Sequence, residues 1–393
     1  MRLLHRALLA LCAATPLVAQ PVRTLGKPDA EFAEPFTRVS GMRELKDGRV
    51  VVIDPRDKTI QVLDLKTGTA KKVGREGSGP KEYGFPMSLH ALPGDTSAVF
   101  DPFNSRFLLV TPGGEPGEFM RLPQPTTSSG SGGMMMVSMT PPRYVDSRGR
   151  FYMLGSGVRM VNGEPQTADS LPILRVDRGS QKTDTLGYVK QPKENVQTTG
   201  DGNRMQVRMG VANPFATRDE WVVTADGRVG ILRAAEYRLD WVAPTRAPGV
   251  ANAYTKLKVS EAHKQQWRDS QKGATAMMIT NTNGRTTTQA GPAGVGGIRI
   301  PEPTDWPELM PPFLGTGQSV FAAPNGQVWV ARTREAKDEV PTYDVLDAAG
   351  KVAMRVALPA KTRVAGFGNG VVYTIRTDED DLQYVQRYRM PEG

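Results

Sequence analysis

The sequence predicts an all-β chain folded as a six-bladed β-propeller with four-stranded blades, and three observations predict it. Glycine (41) and proline (31) are plentiful while aromatics stay at 7% of the 393 residues, which suits many short strands joined by many turns. A tight turn followed by an apolar run occurs six times. A linker rich in glutamate, an aromatic residue and proline recurs ahead of such runs.

The turn family reads Asp47-Gly48-Arg49 before Val50–Ile53, Arg148-Gly149-Arg150 before Phe151-Tyr152, and Asp226-Gly227-Arg228 before Val229. Asn325-Gly326-Gln327 before Val328–Val330 and Asn369-Gly370 before Val371–Tyr373 continue it, with Pro93-Gly94-Asp95-Thr96 before Ser97–Phe100 as a looser member. Asp-Gly and Asn-Gly ahead of β-branched residues mark hairpins, because their central positions must reach positive φ. Units of this kind do not close a core alone, but radial packing buries their faces and protects their edges.

The linker family contains Gly74-Arg75-Glu76-Gly77-Ser78-Gly79-Pro80-Lys81-Glu82-Tyr83-Gly84-Phe85-Pro86, echoed by Glu31-Phe32-Ala33-Glu34-Pro35 and by Pro116-Gly117-Glu118-Phe119. Its glycines invite a phosphate-cradle reading. The spacing matches neither the dinucleotide fingerprint nor the P-loop, and a strand rather than a helix follows. The stretch therefore reads as a joint between blades.

This linker, followed by a hairpin ending in Asp54, resembles the NHL-repeat and related secreted six-bladed propellers of bacteria. The resemblance is strongest over residues 26–123 and 314–390. It implies a ring whose last blade takes strands at about 363–367, 370–376 and 382–389 and borrows its fourth from the N-terminus, at Val22–Leu25. It marks the fold and leaves the activity open.

Residues 1–19 read as an export signal: Arg2 and Arg6 precede the apolar run Leu8–Ala14, and Leu17-Val18-Ala19 precedes a cleavage site. That run is too short for a permanent membrane anchor, so no transmembrane segment is expected after cleavage. A single propeller domain over 20–393 follows, with a periplasmic or extracellular location. The only cysteine, Cys12, falls in the signal, which removes disulfides, a thiol nucleophile and thiolate metal sites from the mature chain. The net charge of +9 stays clearly basic without Arg2 and Arg6. Outside the cytoplasm such a charge points to an anionic small molecule or polymer, or a protein partner, rather than nucleic acid; solubility alone is the other explanation.

Six residues beyond each hairpin glycine lie Asp54, Gly155, Arg233, Arg332 and Arg376, with Asp101 seven beyond its own. In the propellers this chain resembles, these turns lie on the ligand-binding face. Asp54-Pro55-Arg56-Asp57 is echoed by Asp101-Pro102-Phe103-Asn104, and each of the three arginines precedes a glutamate by three (Glu236, Glu335, Glu379). Asp54, Asp57, Asp101, Asn104, Arg233, Arg332 and Arg376 are thus the candidate ligand-binding residues. Acidic early blades and basic later ones would give the face opposed electrostatic halves, with arginines suited to a carboxylate or phosphate. The same patterns also fit turn-capping aspartates and local ion pairs. Insertions at about 124–141, 190–212 and 260–312 fall between blades and would emerge on this face, the last beginning with a helix over Ser260–Ser270.

Chemistry is limited by what remains. Met134, Met135, Met136 and Met139 supply soft donors for copper(I), although adaptable apolar contact is the commoner use. Only His90, expected in an inner strand, and His263, expected exposed on the helix, survive export, so a three-histidine zinc site is excluded. The expectation is a non-catalytic exported propeller without a resident cofactor, binding a ligand or protein partner through its loop-rich face. The alternative is a calcium-dependent lactonase- or esterase-type hydrolase, with Asp54 and Asp101 as oxygen donors.

Overall fold

The computed structural model describes residues 22–121, 141–155, 158–161, 164–192, 196–199, 206–209, 213–271, 275–282, 285–292 and 302–391. The expected export signal and the methionine cluster at 134–139 lie outside the described residues.

Six antiparallel blades stand in a ring. Blade 1 runs from the inside outward through Gly41–Glu44, Val50–Asp54, Thr59–Asp64 and Thr69–Lys72. Blade 2 follows with Ser88–Ala91, Ser97–Asp101, Arg106–Val110 and Pro116–Arg121, and blade 3 with Tyr144–Val145, Phe151–Leu154, Ser170–Val176 and Thr183–Lys190. Blade 4 uses Glu220–Val223, Val229–Arg233 and Arg238–Ala243, its outer place filled by chain bridged from Ala247 to Trp241. Blade 5 holds Val320–Ala322, Val328–Ala331, Thr342–Leu346 and Val352–Ala357; blade 6 holds Thr362–Gly368, Val371–Thr377 and Gln383–Arg389.

All six predicted hairpins join the first and second strands of a blade, and their glycines take positive φ, as at Gly48 (87°) and Gly326 (84°). The second strands read as unbroken apolar runs because both of their faces are covered: every residue of Val50–Asp54 and Ser97–Asp101 is buried. Six apolar clusters alternate with the six blades. Val51, Ile53, Val99 and Leu108 join blades 1 and 2, and Val50, Val52, Tyr373 and Ile375 join blades 1 and 6. The last cluster is what closes the ring.

The N-terminal segment closes the last blade, though not with the expected residues. Ala30–Glu31 pairs antiparallel with Gln383–Arg389 and supplies the fourth strand. Val22–Thr24 instead lies parallel to Val352–Ala357, as a fifth strand outside blade 5. Leu25 is buried in the cluster between blades 5 and 6, and Phe32 and Phe36 in that between 6 and 1. These anchors carry the chain across one blade boundary, so the more β-like tetrapeptide ends on the neighbouring blade.

The glycine-rich stretch is a joint. Arg75–Glu76 pairs in parallel with Glu82–Tyr83, and one nitrogen of Arg106 reaches the carbonyls of Ser78, Gly79 and Glu82 at 3.2–3.4 Å. Gly79 N–H goes to the Glu82 carboxylate and Gly77 N–H to Tyr83 O. The loop presents oxygens to a cation, the reverse of a phosphate cradle. Gly77 takes a φ of 155°, which side chains rarely adopt, and a Cβ there would displace the Glu82 carboxylate.

The insertions contain the expected helix, α1 (Glu261–Gln271), and the hairpins Val196–Thr199/Gln206–Met209 and Thr275–Thr282/Arg285–Pro292. A further hairpin, Val158–Val161/Glu164–Thr167, interrupts blade 3 just after Gly155 and has no counterpart in the sequence reading. Glu164–Thr167 lies beside Val196–Thr199, and Gln206–Met209 beside Thr275–Thr282. Chain topology puts all of these at the end of the ring where second strands turn into third strands.

Candidate functional site

The register aspartates are turned inward. Asp54 is fully buried; its Oδ2 accepts Arg38 N–H at 2.8 Å, and its Oδ1 accepts those of Arg56 and Asp57 at 2.8 and 3.1 Å. Asp57 accepts the Thr37 hydroxyl at 2.8 Å. Asp101, 1% exposed, accepts N–H bonds from Gly84, Phe85 and Asn104 and a 2.6 Å bond from the Asn104 side chain. In both blades the carboxylate at the end of the second strand ties down the linker that enters the first. Removing it orphans several backbone donors at once. Asp101→Ala is therefore expected to cost about 2–3 kcal/mol of stability and to raise amide exchange at residues 84–87; unchanged exchange there would contradict this role.

The register arginines are paired, with partners other than the glutamates three residues on. Arg233 meets Asp219 at 2.8 Å and Asp240 at 3.3 Å. Arg332 meets Asp344 at 3.2 Å, and Arg376 meets Glu31 at 2.9 Å while lying over the Tyr384 ring. Burial pushes the Glu31 carboxyl up, but bonds from Arg376 and Gln386 outweigh it and hold the group below its usual range. The seven candidates thus share one end of the ring, one or two to a blade, without converging. Among the described residues no three His, Cys, Asp or Glu side chains assemble as a cation site. The Asp54 and Asp101 carboxylates already serve backbone donors, so this pair does not fit calcium, and of the two blades' acidic candidates only Asp57 is exposed.

A different set of arginines does come together. Arg363, second residue of the inner strand of blade 6, is half-buried and donates through Nη2 to Val39 O at 2.6 Å. Burial lowers its guanidinium pKa from the usual range; the Tyr343 phenol offsets part of this and the charge of Arg38 adds to it. Tyr343, 4% exposed, accepts Val364 N–H at 3.0 Å; burial raises its phenol, while that bond and the charges of Arg363 and Arg334 pull it down. Arg38 and Arg334 are exposed. Among the described residues, no carboxylate pairs with Arg38, Arg334 or Arg363.

Arg38 lies on the linker into blade 1, Arg334 on the loop between the second and third strands of blade 5, and Arg363 on the innermost strand between them. Chain topology puts the three on adjoining blades 5, 6 and 1 at the insertion-bearing end of the ring, a positive sector of that face. Between blades 3 and 4, by contrast, Arg143 pairs with Glu220 at 2.7 Å, and both bond the backbone of Gly317. Sequence reading missed this sector. The signal available was a charged residue inside Thr362–Gly368, an inner strand with no other.

Both histidines among the described residues stand beside serines. His90, in the inner strand of blade 2, lies 3.0 Å from Ser88 Oγ, and burial pushes its pKa down to about 4. His263 is 3% exposed rather than open to solvent. It is drawn in by bonds at both ring nitrogens and by Phe215 at its edge.

No protein-family model and no curated protein matches the chain. Among solved structures it is similar to the calcium-binding protein regucalcin of Agrobacterium tumefaciens, at 11% identity over 95% of this chain and 98% of that one, with a TM-score of 0.39. It is also similar to a gluconolactonase of Xanthomonas campestris, at 8% identity over 91% of each chain (TM-score 0.38). Virginiamycin B lyase of Staphylococcus aureus stands at 9% identity over 93% and 99% (TM-score 0.37). At such values these likenesses carry no argument about ligand or reaction. No helix among the described residues is long and apolar enough to cross a membrane.

Proposed function

We propose that this chain is an exported, non-catalytic propeller that binds an anionic ligand, a carboxylate or phosphate, at the axial mouth of its insertion-bearing face. One observation carries the reading: among the described residues Arg363 keeps a recessed guanidinium with no carboxylate beside it, and it feels the charge of Arg38. A buried cation without a counter-charge costs folding free energy, and such a cost is retained where a ligand supplies the missing charge. Arg233, Arg332 and Arg376 stand at the same end but share their charge with carboxylates, so the anion is assigned first to Arg363 and Arg38.

The test is calorimetric titration with inorganic phosphate and with succinate. Arg363→Met is expected to weaken binding about 10- to 100-fold, the worth of a charge-assisted hydrogen bond in a recessed site. Its thermal midpoint should stay unchanged or rise, because an uncompensated charge is removed. Absence of saturable binding by the wild-type protein, or full affinity in Arg363→Met, would overturn the assignment.

A further inference from the structure

The loop that carries Arg334 is tied to the rest of the molecule by the inserted segment. Between Thr333 and Ala336 its bonds to the rest of the molecule run to the 260–312 insertion: Thr333 N–H to Pro312 O, Thr333 Oγ1 to Pro311 O, His263 Nε2 to Arg334 O at 3.1 Å, and Gln266 Nε2 to Ala336 O. The His263 ring is fixed by its other nitrogen. Nδ1 accepts the backbone N–H of Ser260 at 3.1 Å, with the Ser260 hydroxyl 2.9 Å away. An acceptor at Nδ1 requires the proton on Nε2, which is the donor that Arg334 O needs. α1 is itself seated by aromatic contacts, with Trp267 and Phe215 each 5.6 Å from Trp306. One imidazole therefore joins the first turn of the inserted helix to the peptide group of a rim arginine.

We infer that His263 is a positioning residue for anion binding: through Arg334 O it sets where the Arg334 guanidinium stands beside Tyr343. This rests on the anion reading of the axial mouth. The inserted helix then has a defined task, to hold one wall of the positive sector.

The test uses the full exported chain and four variants: His263→Leu, His263→Gln, Arg334→Ala and the His263→Leu/Arg334→Ala pair. Leucine loses both bonds, whereas the Gln side chain places an N–H where Nε2 donates while losing the Ser260 tie. Amide exchange at residues 334–337 is expected to rise about three- to tenfold in His263→Leu, the worth of one ordinary hydrogen bond, and to stay near wild type in His263→Gln. Phosphate affinity is expected to fall about two- to fivefold in His263→Leu and in Arg334→Ala, as for an exposed charge, and no further in the pair. Unchanged exchange in His263→Leu overturns the inference whatever the ligand. Additive losses in the pair, with binding still sensitive to Arg363→Met, overturn it and leave the anion reading standing. No phosphate or succinate binding by the wild-type protein overturns both.

Discussion

Asp344→Ala is expected to cost about 3–5 kcal/mol of folding stability, the usual loss when one member of a buried charge cluster is removed. Asp344 is 1% exposed and receives Arg332 Nη1 at 3.2 Å, Arg355 Nε at 3.0 Å and the Tyr237 hydroxyl at 2.5 Å. Burial, together with the Asp344 charge and bond, pushes the Tyr237 phenol far above its ordinary range. Truncation would leave two guanidiniums and a phenol facing one another across the boundary of blades 4 and 5. Urea unfolding checks this. Glu31→Ala, whose pair with Arg376 is about one-third exposed on both sides, is the control and should lose no more than about 1 kcal/mol. Equal losses in the two variants would show that Asp344 does not bind the blades together.

The second large effect is acid destabilisation through His90. Burial lowers its pKa from 6.5 to about 4 in the folded chain. Above pH 6.5 the ring is neutral in both states and its contribution to stability is complete. As pH falls from 6.5 towards 4, the unfolded chain takes up a proton that the folded chain refuses, so stability drops; below 4 the contribution is spent. The shift corresponds to roughly 3 kcal/mol. His90→Gln keeps a hydrogen-bonding group beside Ser88 and does not titrate. Its loss of stability between pH 7 and pH 4.5 should be smaller than that of the wild type by most of this amount. Parallel stability–pH curves for the two proteins would refute the assignment to His90.

Much of the fold was legible because its signals are local. A hairpin needs two residues that accept positive φ next to residues that prefer extended backbone, and six such sites can be read within a few positions each. The doubly buried second strands announce themselves as Val50–Ile53 and Val328–Val330, since a strand covered on both faces has no polar alternation to keep. The shared register was legible for the same reason: blades of one length bring equivalent residues to one end of the ring.

Charge partners were not legible, because pairing follows tertiary proximity and not spacing. Arg376 finds Glu31 across the ring closure, 345 positions away, while Glu379 lies three residues on. Asp54 and Asp101 carry a pattern that suits either a ligand or a turn cap, and only the positions of the linkers at Arg38 and Gly84 decide between them. His263 looked exposed on a polar helix until the blade 5 loop supplied an acceptor for its ring.

By itself the sequence determined that this chain is a ring of six β-units, basic, with Cys12 as its single cysteine, and with its long insertions gathered at one end. The tertiary structure alone decided which N-terminal residues close the ring and which carboxylate each register arginine pairs with. Strand formation is governed by neighbours in the chain, whereas the free energy of a charge depends on whatever the fold brings within a few ångströms of it. Arg332 stands out in the sequence by its register and Arg363 does not, yet of the two it is Arg332 that the fold pairs with a carboxylate, Asp344.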